Sequence, residues 1–187
     1  KRKIPYGWDL NIYKGCTHGC VYCYALYSHP DLLANGLSSS RDTDTAVFSS
    51  RIHVKTNIVE HLERELQATG WKREVVNIGG VTDSYQAAEA RYRFMPEILK
   101  LLIKHKTPAI ISTKSTLILR DFDLIDELSR ITYVNVAATV TTMDESVRSI
   151  IEPGGALSLA RFSMLAEFRK TGASVGLHVM PIIPYLT

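Results

Sequence analysis

Every cysteine in the sequence falls within eight positions, as Cys16-x3-Cys20-x2-Cys23, in a stretch that also carries Gly15 and Gly19. Three thiols this close together suit a metal, because thiolates are soft ligands for zinc and for iron–sulfur centres. The count of three narrows the choice. A structural zinc site closes with four protein ligands, and a cubane cluster ordinarily takes four cysteines. A cubane on this loop would leave one iron without a cysteine and open to a substrate or cofactor. The alternative is a Cys3His zinc site with His18 or His29 as the fourth ligand. His18 lies between two of the cysteines, where closing a tetrahedron is awkward, so His29 is the better of the two.

The elements that must position such a loop follow from the rest of the chain. Its 187 residues, 45% hydrophobic and 22% charged, suffice for one globular domain with a real core. The net charge of +3 comes from scattered lysines and arginines with no long run of like charge, so composition leaves a nucleic-acid substrate open but gives it no support. No apolar run approaches the roughly 20 residues a membrane helix needs, and no signal peptide is visible. Clustered cysteines suit a reducing compartment, so a cytoplasmic protein with no membrane partner is expected. Lys1-Arg2-Lys3 leads almost directly into the first strand, and the chain stops after a Pro-containing turn. We therefore expect residues 1–187 to be a single core domain lacking a C-terminal segment.

Residues 8–13 alternate apolar and polar positions, as a strand does. Residues 28–52, rich in Ser, Asp and Gly, read mostly as loop. Residues 57–69 place Ile58, Leu62 and Leu66 at helical spacing before Gly70. A strand over 75–78 precedes Gly79-Gly80. The spacing predicts a helix over 91–105 with Pro96 near its first turn, a strand over 109–112, and a helix over 121–130 with Asp121 as its cap. It further predicts a strand over 133–140, helices over 146–151 and 156–170, and a last strand over 174–180. Five alternations of strand and helix imply a parallel α/β sheet. The small polar clusters all follow strands: the cysteine loop, Gly79 to Asp83, Thr113-Lys114-Ser115, Thr141-Thr142 and Pro181. Parallel sheets gather ligands at that edge.

Cys16-x3-Cys20-x-Tyr22-Cys23, with an aromatic before the last cysteine, resembles the signature of radical S-adenosylmethionine (SAM) enzymes. The wider set is similar to the spore photoproduct lyase-like branch. It comprises Gly15-Cys16-x-His18-Gly19-Cys20-x-Tyr22-Cys23-Tyr24-Ala25, Ile52 to Asn57, Gly79-x2-Thr82-Asp83-x-Tyr85-Gln86-x2-Glu89, Thr113-Lys114, Thr141-Thr142-x-Asp144, Glu152-Pro153 and Pro181 to Pro184. The resemblance implies a partial (β/α)6 TIM-like barrel with outer helices, in keeping with the alternation. It implies that Cys16, Cys20 and Cys23 bind a [4Fe-4S] cluster and that SAM chelates the fourth iron. Reductive cleavage of SAM would yield methionine and a 5′-deoxyadenosyl radical that abstracts hydrogen from a substrate. The electron would come from a donor such as flavodoxin or ferredoxin.

By the same resemblance Gly79 and Gly80 would let the backbone approach SAM, and Thr82 or Asp83 would accept from its ammonium. Lys114 would pair with its carboxylate, and Thr139 and Thr141 would meet its ribose. Tyr22, Met180 and Pro181 would contact the adenine. Tyr85, Gln86 and Glu89 could face substrate, with Tyr85 a candidate hydrogen donor; Glu89 could equally begin a helix. Glu152 and Arg161 could pair near the site. His53, His61, His105 and His178 show no ligand spacing and read as surface or satisfied buried histidines. A photoproduct lyase carries an extra cysteine near its active site, whereas the corresponding region here carries Val81. A lyase-like reaction on a DNA photoproduct is therefore one option among substrates. The competing class is a non-catalytic iron–sulfur or zinc protein that senses redox state or binds a partner.

Overall fold

In the computed structural model, residues 6–28 and 41–187 are described. His29, Lys1-Arg2-Lys3 and the 29–40 part of the expected loop lie outside them. Seven strands and seven α-helices lie along the described chain. The strands are β1 (Trp8–Leu10), β2 (Tyr13–Lys14), β3 (His53–Val54), β4 (Val76–Ile78), β5 (Ala109–Thr113), β6 (Val134–Thr139) and β7 (Ser174–His178). The helices are α1 (Arg41–Ser50), α2 (Ile58–Gln67), α3 (Ala87–Tyr92), α4 (Phe94–His105), α5 (Phe122–Ile131), α6 (Glu145–Ile151) and α7 (Ser158–Phe168).

Five strands form one all-parallel sheet in the order β1-β4-β5-β6-β7, and β2 pairs antiparallel with β3. The two-residue period of the strands sorts their side chains. Val76, Ile78, Ala109, Ile111, Val134, Val136 and Ala138 point into the main core, where they meet Ile98, Leu99 and Leu102 of α4, Ile125 and Leu128 of α5, and Met164 and Phe168 of α7. The alternate positions carry Asn77, Ile110, Ser112, Asn135, Thr139 and His178, which line a cavity. Asp9, Asn77, Ile110 and Asn135 stand side by side in register across four strands. One face of the sheet is thus covered by helices, and the other presents mostly polar side chains to a cavity.

Three expectations change. The strand over 8–13 is two short strands in different sheets. The stretch read as loop contains α1. Its sequence holds few strong helix formers, but Phe48 is 2% exposed and packs with Ala25 and Leu26 beneath the cysteine loop. Tertiary burial, not periodicity, supports it. The helix over 91–105 is two helices, broken where Arg93 takes a left-handed φ of 53°. Buried Glu89 then caps the second, accepting from Phe94 N at 3.2 Å and Met95 N at 2.9 Å. Pro96 sits in the first turn of α4, where no backbone N–H is required. Asp121 precedes α5 but makes no cap bond, because Arg120 occupies both of its oxygens at 2.8 and 2.7 Å.

Candidate active site

The cysteine loop connects β2 to a 3-10 turn at Tyr24–Ser28. Gly15 opens it at φ +85°, and a Cβ there would stand 2.5 Å from the Arg51 carbonyl oxygen. Each neighbouring element grips its backbone. Cys16 N donates to the Phe48 carbonyl at the end of α1 (3.1 Å), and Val21 N to that of Ile151 at the end of α6 (3.1 Å). From the segment after β4, fully buried Gln86 accepts from Thr17 N (2.9 Å) and donates to Gly15 O (3.1 Å), while Thr82 Oγ1 donates to the same carbonyl at 2.6 Å. Cys16, Cys20 and Cys23 are free thiols that all line one cavity of about 730 Å³. Burial, reinforced by the Asp83 charge, pushes the Cys16 thiol well above its ordinary value, and burial pushes Cys20 up to about 11. Thiolates in this loop need a cation to hold their charge.

His18 is not free to be the fourth ligand. Its Nδ1 lies 2.9 Å from the Gly154 carbonyl and its Nε2 2.9 Å from Asp83 Oδ2. Both partners are oxygen acceptors, so both ring nitrogens donate and no lone pair remains for zinc. Burial alone would lower the His18 pKa, but the Asp83 charge and the hydrogen bonds outweigh it and raise the value. Among the described residues no three His, Cys, Asp or Glu side chains gather to hold a single ion. Three soft donors on one cavity wall fit a cluster with one open iron, while His29, the other candidate to close a zinc site, lies outside the described residues.

Asp83 and Thr82 are placed differently from the expectation that they receive an ammonium. Besides His18, Asp83 accepts from Tyr85 N (2.8 Å), Thr113 Oγ1 (2.8 Å) and Lys114 N (2.8 Å). Burial would raise its pKa, but His18 and these donors hold the carboxyl well below the usual range. Both side chains line the cavity but are already spent on tying the ends of β4 and β5 to the cysteine loop. Gly79 and Gly80 of the same segment also line the cavity.

Of the other expected residues, Tyr22, Lys114, Thr139 and Met180 line the cavity. Lys114 Nζ stands 5.7 Å from the centroid of the Tyr22 ring. Among the described residues it is the one lysine or arginine on the cavity wall. Thr141 lies behind that wall, donating to Glu152 Oε1 at 2.6 Å and 3.0 Å from the Tyr22 hydroxyl. Glu152 and Arg161 do pair, at 2.5 Å and fully buried. Tyr85 is a correction. It is 1% exposed, belongs to the main core and does not reach the cavity, so it cannot present a hydrogen atom there. Gln86 and Glu89 likewise face protein, not substrate. The residues missed from sequence are Asn77, Ser112, Asn135 and His178, polar positions within otherwise apolar strands.

The Radical SAM superfamily model matches residues 10–187, and the chain belongs to that superfamily. Membership implies a [4Fe-4S] cluster and SAM. An uncharacterized protein of Mycobacterium tuberculosis is 36% identical over 184 residues, covering 98% of this chain and 52% of that protein. One of Methanocaldococcus jannaschii is 26% identical over 185 residues, covering 98% of this chain and 64% of that protein. The chain thus spans roughly half to two thirds of the length of these relatives. Among solved structures, spore photoproduct lyase complexed with dinucleoside spore photoproduct superimposes with a TM-score of 0.69 at 13% identity, over 98% of this chain and 48% of that one. A mutant of that lyase with bound AdoMet and the dinucleoside gives 0.65 at 12% identity, over 94% and 46%. These likenesses establish the radical SAM α/β fold.

Proposed function

We propose that residues 1–187 form the core domain of a radical SAM enzyme in which Cys16, Cys20 and Cys23 hold a [4Fe-4S] cluster and SAM binds at the open iron. The observation that carries this reading is the convergence of three free thiols, the Lys114 ammonium and the Gly79-Gly80 backbone on a single cavity. When bound, cluster and SAM supply the electron transfer that releases a 5′-deoxyadenosyl radical. The chain's own part is placement. Gln86, Thr82 and the Phe48 and Ile151 carbonyls fix the cysteine loop. Lys114 offers a cation to the SAM carboxylate, and Tyr22 and Met180 flank the adenine. The ring of Tyr85 does not take part.

The substrate is a further proposal. A lyase-like reaction on a nucleic-acid lesion is in keeping with the fold, but Val81 lines the cavity in the region where a photoproduct lyase carries its extra cysteine, and no thiol other than the three exists in these residues. The lack of a further thiol favours hydrogen abstraction from a substrate other than a photoproduct. Anaerobically reconstituted protein, reduced and given SAM, should release 5′-deoxyadenosine, and Cys20→Ala should abolish it. A colourless, zinc-loaded protein that leaves SAM intact would sink the reading in favour of a non-catalytic metal protein.

A further inference from the structure

We propose that Glu152 is a positioning residue for the SAM side of this site and acts through Tyr22; the inference rests on the function proposed above. Glu152 follows α6 and is wholly buried, yet its carboxylate is directed at the cysteine loop rather than at solvent. Oε1 accepts from the Tyr22 hydroxyl and from Thr141 Oγ1 at 2.6 Å. Oε2 accepts from Arg161 Nη1 at 2.5 Å.

Arg161 is itself immobilised. Its Nε donates to the Ala156 carbonyl at 2.8 Å and its Nη1 also to that of Thr139 at 2.8 Å, so α7, the end of β6 and the loop between 152 and 156 fix one guanidinium. The carboxylate is therefore held in one orientation from behind, and it holds one phenol in front. That phenol belongs to the motif residue that falls between Cys20 and Cys23 in sequence, and Lys114 Nζ lies 5.7 Å from the centroid of its ring. The same loop grips the lysine from its backbone, Ala156 N donating to the Lys114 carbonyl at 2.9 Å. One loop thereby sets both the aromatic wall and the cation.

A buried ion pair is a poor way to gain stability, since well-packed apolar side chains of similar volume usually do as well or better. Its strength is orientation: hydrogen bonds that converge on a group fix its direction, and here both Glu152 oxygens are engaged, with Arg161 Nη2 left without a partner among the described residues. The hydrogen-bonded chain ends on the one cavity-lining aromatic that lies inside the cysteine motif. No atom of Glu152 lines the cavity, so its influence on a ligand must pass through Tyr22 and Lys114.

The test compares cluster-reconstituted wild type with Tyr22→Phe, which keeps the ring and removes the hydroxyl, and with Glu152→Gln. Iron content and the cluster's visible spectrum are recorded first, then SAM affinity by calorimetry and the electron paramagnetic resonance change of the reduced cluster on adding SAM. Both variants should carry a normal cluster yet bind SAM about tenfold more weakly, with a diminished spectral response. Ile125→Val, a core change in α5 that does not line the cavity, supplies a destabilised control whose SAM affinity should equal that of wild type. If Glu152→Gln does not fold, Thr141→Val takes its place, with the same expectation. SAM affinity within about twofold of wild type in every network variant, or an equal loss in Ile125→Val, overturns the inference and leaves the proposed function standing. Wild-type protein that holds its cluster and binds no SAM overturns both.

Discussion

At the scale of single residues, the site is organised by an ion pair rather than by a ligand. His18 sits inside the cysteine motif, where its spacing invites a metal role, but both of its nitrogens are engaged, one by a backbone carbonyl and one by Asp83. Removing the charge with Asp83→Asn leaves a buried imidazolium without its counterion, and breaking such a pair costs about 3–5 kcal/mol. The effect has a defined pH window. The Asp83 pKa is depressed, so its contribution is present above 3.8, the unfolded value, and is lost as pH falls through the folded one. The His18 pKa is raised, so its contribution is complete below 6.5 and is lost as pH rises through the folded value. The stability difference between wild type and Asp83→Asn, measured by urea denaturation of the metal-free proteins, should therefore be largest between about pH 4 and 6.5. A difference that stays level from pH 5 to pH 9 would contradict this pairing.

At the scale of elements, the loop between α6 and α7 braces the cysteine loop. Gly154 N donates to the His18 carbonyl at 2.9 Å, and a Cβ on Gly154 would lie 2.2 Å from the Thr17 carbonyl oxygen. Flexible side-chain ends can yield to such an intrusion, but backbone cannot. Gly154→Ala should thus push the two loops apart and lower iron uptake on reconstitution severalfold, while far-ultraviolet circular dichroism stays near that of wild type because the sheet and the outer helices are untouched. Full iron loading in Gly154→Ala would show that this contact is dispensable. Much of the element layout was legible beforehand. Ile58, Leu62 and Leu66 announce α2, and the apolar runs announce β5 and β6. Helix α1 was not legible, because its reason to be helical is the burial of Phe48 beneath the cysteines, which no local pattern records. Tyr85 was misplaced for a related reason. Proximity to Gly79-Gly80 in sequence does not tell which way the chain turns after Asp83, and it turns into the core. Asn77 and Asn135 did carry a signal, an amide in the middle of an apolar strand, that marks the uncovered face of the sheet.

For the whole molecule, that uncovered face is the central fact. Helices α4, α5 and α7 pack on one side of the sheet, and among the described residues the other side faces a cavity shared with the cysteine loop and its braces. Contacts from β2, α1, the segment after β4, and the ends of β5 and α6 all converge on the loop, so binding there draws on most of the chain at once. The described helices include none long and apolar enough to cross a membrane. A ligand that binds only this assembled arrangement must stabilise the fold by mass action. At a SAM concentration 100-fold above its Kd the gain is about 2.7 kcal/mol, which for a domain of this size corresponds to a rise in Tm of roughly 5–10 °C. The cluster-loaded protein should show that rise in a thermal melt under anaerobic conditions. If these cysteines hold the cluster as proposed, a protein with Cys16, Cys20 and Cys23 all changed to Ala should show much less. Equal shifts in the two proteins would mean that SAM is held without the cluster, and the site would have to be redrawn around Lys114 and Tyr22 alone.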